Sequence, residues 1–286
     1  MNPVAPQENN PNPNAAPSRL PESVLLRNLN WFFYLLSAAG AALCLAWPHL
    51  YEFNSLNAHW ADVLFMVAVT VALALNLARQ LPLLNVGAAA GIILVVGGAA
   101  QLLGAQTSVP FGPFTFNREF DPLVFGLLPL GAPFLWLAIL LAARGTARLI
   151  LRPWRKMTTY GFWLIGVTAA LVVITDVALE PFAAFAHHYW IWEKTKIPFT
   201  WYGAPVVNFL AWGFVALIML AFATPLLINK QPNRKNVPDF APFFLWLGMM
   251  IVFAAAPVEA GVWRAVTVDG VIAAVVTGLA VTGSRW

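Results

Sequence analysis

The chain has 286 residues with sixteen Lys and Arg against twelve Asp and Glu, giving a formal net charge of +4. Only 10% of residues are charged and 60% are hydrophobic, where a soluble domain carries about 25% charged residues. With a mean hydropathy of +0.73, too few charges exist to cover a water-soluble surface, which leaves an integral membrane protein. One cysteine, Cys44, excludes an intramolecular disulfide framework and any cysteine-based metal site. The basic residues lie in short segments between apolar runs, so they read as topology signals rather than as a nucleic-acid patch.

Residues 1–23 are rich in Asn and Pro and lack an apolar core. They are expected to form a disordered tail rather than a signal peptide, leaving 24–286 as one transmembrane helical domain. Apolar runs long enough to cross a bilayer, for which about 20 residues suffice, fall near 30–50, 60–78, 83–104, 123–143, 160–180, 206–228, 241–257 and 265–283. Continuous apolar runs lack the alternation of barrel strands, so the fold class is all-α, a polytopic bundle of about eight transmembrane helices. Twelve of the sixteen basic residues fall with the termini, five of them (Arg144, Arg148, Arg152, Arg155 and Lys156) in the 144–159 connection. That asymmetry predicts a multi-pass plasma-membrane protein with both termini cytoplasmic.

Nine of the twelve acids collect toward the opposite end. The densest polar stretch, residues 175–213, starts at the end of the fifth span. Asp176 and Glu180 are four apart and share a helical face. His187 is eleven residues past Asp176 and returns to that face if the helix survives Pro181, a residue that can kink or end it. An acid near the end of a span is costly unless hydrated or paired, which makes Asp176 a functional candidate beside a plain reading as an interfacial residue. His187 and His188 point to different sides of a helix, so they make a poor metal pair with Glu180, and no metal is expected. Trp190, Trp192, Trp201 and Tyr202 read either as an interfacial aromatic belt or as a wall for a long apolar substrate. Asn208 is a polar residue inside the sixth span, suited to joining helices or orienting a site group.

A second patch runs from Phe111 to Pro122. Phe111, Phe114, Phe116 and Phe120 are too apolar for a solvated loop and should dip back against the bundle. Glu119 and Asp121, with Arg118 as a salt-bridge partner, form an alternative acid patch for which a structural pairing leads.

Asp176, Glu180-Pro181, Trp190-x-Trp192, Tyr202-Gly203-x-Pro205, Asn208 and Trp212 together resemble the membrane carotenoid biosynthesis proteins. Phe111-Gly112-x-Phe114-x-Phe116, followed by Gly131-x-Pro133 and Trp136, resembles that family's other signature region. The family contains carotenoid 1′,2′-hydratases and bisanhydrobacterioruberin hydratases. Phe114 and Phe116 stand where tyrosines are expected, Glu180 where Asp is expected, and Ala211 where Gly is expected. The resemblance implies a cofactor-independent hydratase (a hydro-lyase) that adds water to the terminal 1′,2′ double bond of an acyclic, lycopene-type carotenoid. It implies membrane lipid and other carotenoid enzymes as partners. In that reading Asp176 or Glu180 protonates the alkene and His187 deprotonates the incoming water. Trp190, Trp192, Tyr202, Asn208, Trp212, Phe114 and Phe116 then hold the substrate. The rivals are an end-group cyclase or isomerase, which begins with the same protonation, and a small-solute transporter. No NAD, flavin or phosphate fingerprint is present.

Overall fold

The computed structural model describes residues 24–46, 59–117, 123–124, 126–195, 199–228 and 237–286. The expected tail at 1–23 and the acids Glu119 and Asp121 lie outside them. Among the described residues, eight helices are long and apolar enough to cross a membrane, so the chain is an all-α multi-pass membrane protein. They are α1 (Val24–Ala46), α2 (His59–Ala78), α3 (Leu83–Thr107), α4 (Gly131–Ile150), α5 (Tyr160–Glu180), α6 (Val206–Ala223), α7 (Ala241–Glu259) and α8 (Trp263–Ser284).

Helix α4 is the axis of the bundle and packs against α2, α3, α5, α7 and α8. Every residue from Trp136 to Arg144 is buried. Close approach there depends on small residues, since lipid tails give apolar side chains no reason to leave them. Gly145 faces the ring of Pro242, and the backbone carbonyl of Leu149 faces Gly283, leaving no room for a Cβ at either glycine. Large apolar side chains such as Leu84, Phe162, Phe214 and Phe222 stand exposed on the outside of the bundle, as lipid-facing side chains must.

The first helix starts at Val24 rather than near 30, and the largest shifts are at the two ends of the fourth. The fourth helix begins at Gly131 rather than 123, because Leu123–Val124 (β2) pairs antiparallel with Leu128–Pro129 (β3). Gly126, at φ +70°, turns that apolar hairpin, a conformation other residues resist. The same helix runs on to Ile150, so Arg144 and Arg148 belong to it and the connection shrinks to 151–159. Arg144 is buried and donates from Nη2 to the Leu227 carbonyl at 2.9 Å.

The remaining strands cap the bundle at the end opposite the termini. Phe114–Phe116 (β1) pairs antiparallel with Trp190–Trp192 (β4), placing Phe114 opposite Trp192 and Phe116 opposite Trp190. Thr200–Trp201 (β5) and Ala204–Pro205 (β6) form a hairpin through Tyr202 and Gly203, both at positive φ, the backbone a two-residue hairpin turn requires.

Candidate functional site

Strand alternation explains the Trp-x-Trp spacing. Residues two apart in a strand face the same way, so Trp190 and Trp192 turn together onto the bundle while Ile191 is exposed. Both indoles end on one carboxylate oxygen: Trp192 Nε1 donates to Glu180 Oε2 at 2.8 Å and Trp190 Nε1 at 3.2 Å. Asn208, in the first turn of α6, donates from Nδ2 to Glu180 Oε1 at 3.0 Å and to Asp176 Oδ2 at 2.8 Å. All three polar side chains are at most 1% exposed. Asp176 Oδ1 is buried and has no hydrogen-bond partner. The expected pairing of Asp176 with Glu180 on one face is therefore present, closed from above by two tryptophans and from the side by one amide.

His187 does not join that pair. After Glu180 the chain continues as a π-helical turn, Pro181–Ala186, closed by His187 N–H donating to the Phe182 carbonyl. The wider turn rotates the next residues off the α-helical register. His187 Nδ1 lies 3.1 Å from Asp62 Oδ2, at the start of α2, and its ring stacks on Phe182. The Tyr189 hydroxyl donates to the same Asp62 oxygen. A second polar centre thus stands at this end of the bundle, with Asp62 only 7% exposed.

Between the two centres lies a cavity of about 370 Å³. Its walls come from α2 (Asp62, Met66), β1 (Phe116), the β3–α4 corner (Leu130), the π-helical turn (Phe182) and β4 (Trp190), among others. Asp62 is its one acidic lining residue among those described. The volume falls in the range of about 300–1,000 Å³ typical of small-ligand pockets. Trp190 belongs to both centres, its ring lining the cavity and its N–H bonding Glu180.

Of the other side chains expected to bind substrate, Phe116 lines the cavity, whereas Phe114, Trp192, Tyr202, Asn208 and Trp212 do not. Phe114 packs beside Trp192 at 5.3 Å between ring centroids. Tyr202 sits in its hairpin turn, edge-on to Phe185 and Trp201. Trp212 stacks on Trp136 at 3.8 Å deep in the core. Neither Asp176 nor Glu180 is a lining residue. Among the described residues, no three His, Cys, Asp or Glu side chains converge as a metal site requires.

A family model described as "Carotenoid biosynthesis protein" matches residues 61–277, a stretch that holds every lining residue of the cavity and the whole carboxylate pair. The chain belongs to the carotenoid biosynthesis protein family. It is similar to a bisanhydrobacterioruberin hydratase from Haloarcula japonica, 29% identical over 148 residues. That alignment covers 51% of this chain and 46% of the relative, so the chain spans about half the length of the curated protein it matches. No solved structure matches.

For this carotenoid biosynthesis protein, the sequence reading found the Asp176–Glu180–Asn208 cluster but passed over Asp62 and Tyr189. Asp62 was visible only as one more acid at a span end. Its partners His187 and Tyr189 lie more than 120 residues away, and no local spacing connects them. The one usable signal was its place as a lone acid on the first turn of an apolar helix, where charge is costly.

Proposed function

We propose that the protein is a hydratase that adds water across the terminal 1′,2′ double bond of an acyclic carotenoid. The observation that carries this reading is the cavity: an apolar, aromatic-walled chamber inside a membrane bundle, with a carboxyl group in its wall. Hydrating an unactivated alkene needs a strong proton donor, a shield for the resulting tertiary cation, and a limited supply of water. One carboxyl of the buried Asp176–Glu180 pair, joined to the wall through Trp190, supplies the first. The faces of Trp190, Phe116 and Phe182 supply the second, since ring quadrupoles attract positive charge. A site beside the membrane boundary meets the third while giving a lipid-dissolved polyene direct entry. The reaction named by the relative supports the same choice.

The chamber is the size of an end group, not of a long polyene, so the substrate enters end-on and the rest of its chain stays in the lipid. Val67 and Leu130, lining residues that are 39% and 43% exposed, mark the mouth between α2 and the β3–α4 corner. In keeping with the basic-residue asymmetry, both termini lie in the cytoplasm and the cavity opens near the outer face of the plasma membrane. Expression in a lycopene-accumulating bacterium, with mass spectrometry of the pigments, tests the function. Pigment heavier by one or two waters is expected. An isomer of unchanged mass would instead mark an end-group cyclase.

A further inference from the structure

Most of the cavity wall is apolar, and its polar groups are gathered in one corner. Among the described residues, Asp62, Asn117 and Tyr189 are the lining residues whose side chains carry oxygen. They are held together: the Asn117 backbone N–H donates to the Tyr189 carbonyl at 2.9 Å, and the Tyr189 hydroxyl donates to Asp62 Oδ2. His187 Nδ1 stands 3.1 Å from that same oxygen, outside the lining. A carboxyl oxygen that takes an O–H and faces an imidazole acts as an acceptor, the role of an ionised carboxylate. The Asp176–Glu180 pair differs, since it lies outside the lining and meets the wall through the Trp190 N–H. The chamber is thus served by two carboxyl centres at separate wall residues, Trp190 and Asp62.

Taking the hydratase reading as its basis, with a carboxyl of the Asp176–Glu180 pair as donor, we infer that Asp62 is the base that holds the incoming water and takes its proton. A water inside a protein needs about two to four polar partners, and the Asp62–Asn117–Tyr189 corner is where the lining offers them. In the first step the alkene π electrons bond the less substituted carbon to the donor's proton, and the donor's O–H electrons stay on its oxygen. A lone pair of the water then makes the C–O bond to the positive tertiary carbon. One O–H bond of that water breaks; its electrons remain on oxygen and its proton passes to the Asp62 carboxylate. His187, whose side chain is 23% exposed, carries that proton along the 3.1 Å contact to solvent, and the donor takes one back from water. The sum is alkene plus water giving a tertiary alcohol, with nothing oxidised or reduced. The role also accounts for an acid on the first turn of an apolar helix, where charge is costly.

The tertiary cation has two fates: it loses a proton and returns to alkene, or it captures water. Asp62 serves the second. Membranes containing the full chain are supplied, in heavy water, with an acyclic carotenoid bearing a terminal 1′,2′ double bond. Mass spectrometry reads deuterium gained by the recovered alkene, which counts returns, and hydrated product, which counts captures. Asp62→Asn keeps the size and an acceptor for Tyr189 but takes up no proton. Its hydration is expected to fall about 10²–10⁴-fold, the usual worth of general acid–base catalysis. Exchange persists, so the ratio of exchange to hydration rises at least about tenfold. Asp62→Glu restores a base one methylene away and brings the ratio back toward the wild type. A merely structural role would lower both counts together and leave their ratio alone. Should Asp62→Asn not insert, Tyr189→Phe keeps the ring and removes only the hydroxyl from the water's corner, and the ratio is expected to rise there too.

An unchanged ratio in Asp62→Asn, or in Tyr189→Phe where that variant decides, overturns the assignment. So does loss of exchange along with hydration, which would place Asp62 in the protonation step. A wild-type protein that adds no water overturns the hydratase reading itself, and the assignment with it.

Discussion

Trp192 and Glu180 are joined across twelve residues by an indole N–H donating to a carboxylate oxygen at 2.8 Å. The bond ties the β1–β4 sheet to the end of α5, and with it the wall that carries Trp190. Trp192→Phe keeps an aromatic ring against Phe114 but leaves Glu180 Oε2 with one donor fewer in a site closed to water. The expected cost is about 1–3 kcal/mol, the penalty for an under-satisfied buried polar group. A thermal melt in detergent, compared with the wild type, checks it. An unchanged melting temperature would mean that the sheet does not lean on this bond.

Asn208 bears more weight, because one amide serves two acids. Asn208→Leu is close in volume but strips Asp176 and Glu180 of a shared donor at once. Two buried carboxyls left with poorer partners should destabilise the protein by more than Trp192→Phe does, on the order of 3 kcal/mol or above. Inserted protein should fall accordingly, and Asn208→Gln, which keeps the amide, should lie between the two. Equal stability of Asn208→Leu and wild type would mean that the two carboxyls need no shared donor.

The spans were legible because a membrane helix needs a long run of apolar residues, and such runs survive in any composition count. Errors arose where apolar sequence serves another shape. Residues 123–130 are as hydrophobic as a span, yet Gly126 and Pro129 make them a hairpin. The carboxylate pair was legible because Asp176 and Glu180 sit one helical turn apart. The placement of His187 was not, since a π-helical turn changes the register by an amount that spacing arithmetic cannot foresee. Asp62 depends wholly on tertiary contacts, and nothing near it in sequence says so.

Topology can be tested without reference to chemistry. In a Cys44→Ser background, single cysteines replace Met157 in the 151–159 connection and Phe199 at the opposite end, both exposed positions. A membrane-impermeant maleimide added outside intact cells should label Phe199→Cys and spare Met157→Cys, with the pattern filling in after lysis. The basis is the excess of Arg and Lys beside the termini. Labelling of Met157→Cys from outside would invert the bundle and place the cavity at the cytoplasmic face.

Occupation of the cavity by substrate can be probed by filling it. Met66 lies one turn beyond Asp62 on α2, lines the chamber and is half-buried, so a larger side chain there can displace ligand without rebuilding the core. Met66→Trp should insert at near-normal levels and lose turnover by about 100-fold or more, since small misplacements of a reacting group already cost that much. Leu210→Trp on the exposed outer face of α6 adds the same ring outside the cavity and should leave turnover unchanged. The measurement is hydrated carotenoid per unit of inserted protein, with bound polyene recorded alongside. A Met66→Trp protein that binds less polyene and makes less product fits end-group entry into this chamber. If it turns over normally, the substrate does not pass through the cavity, and its end group must react elsewhere.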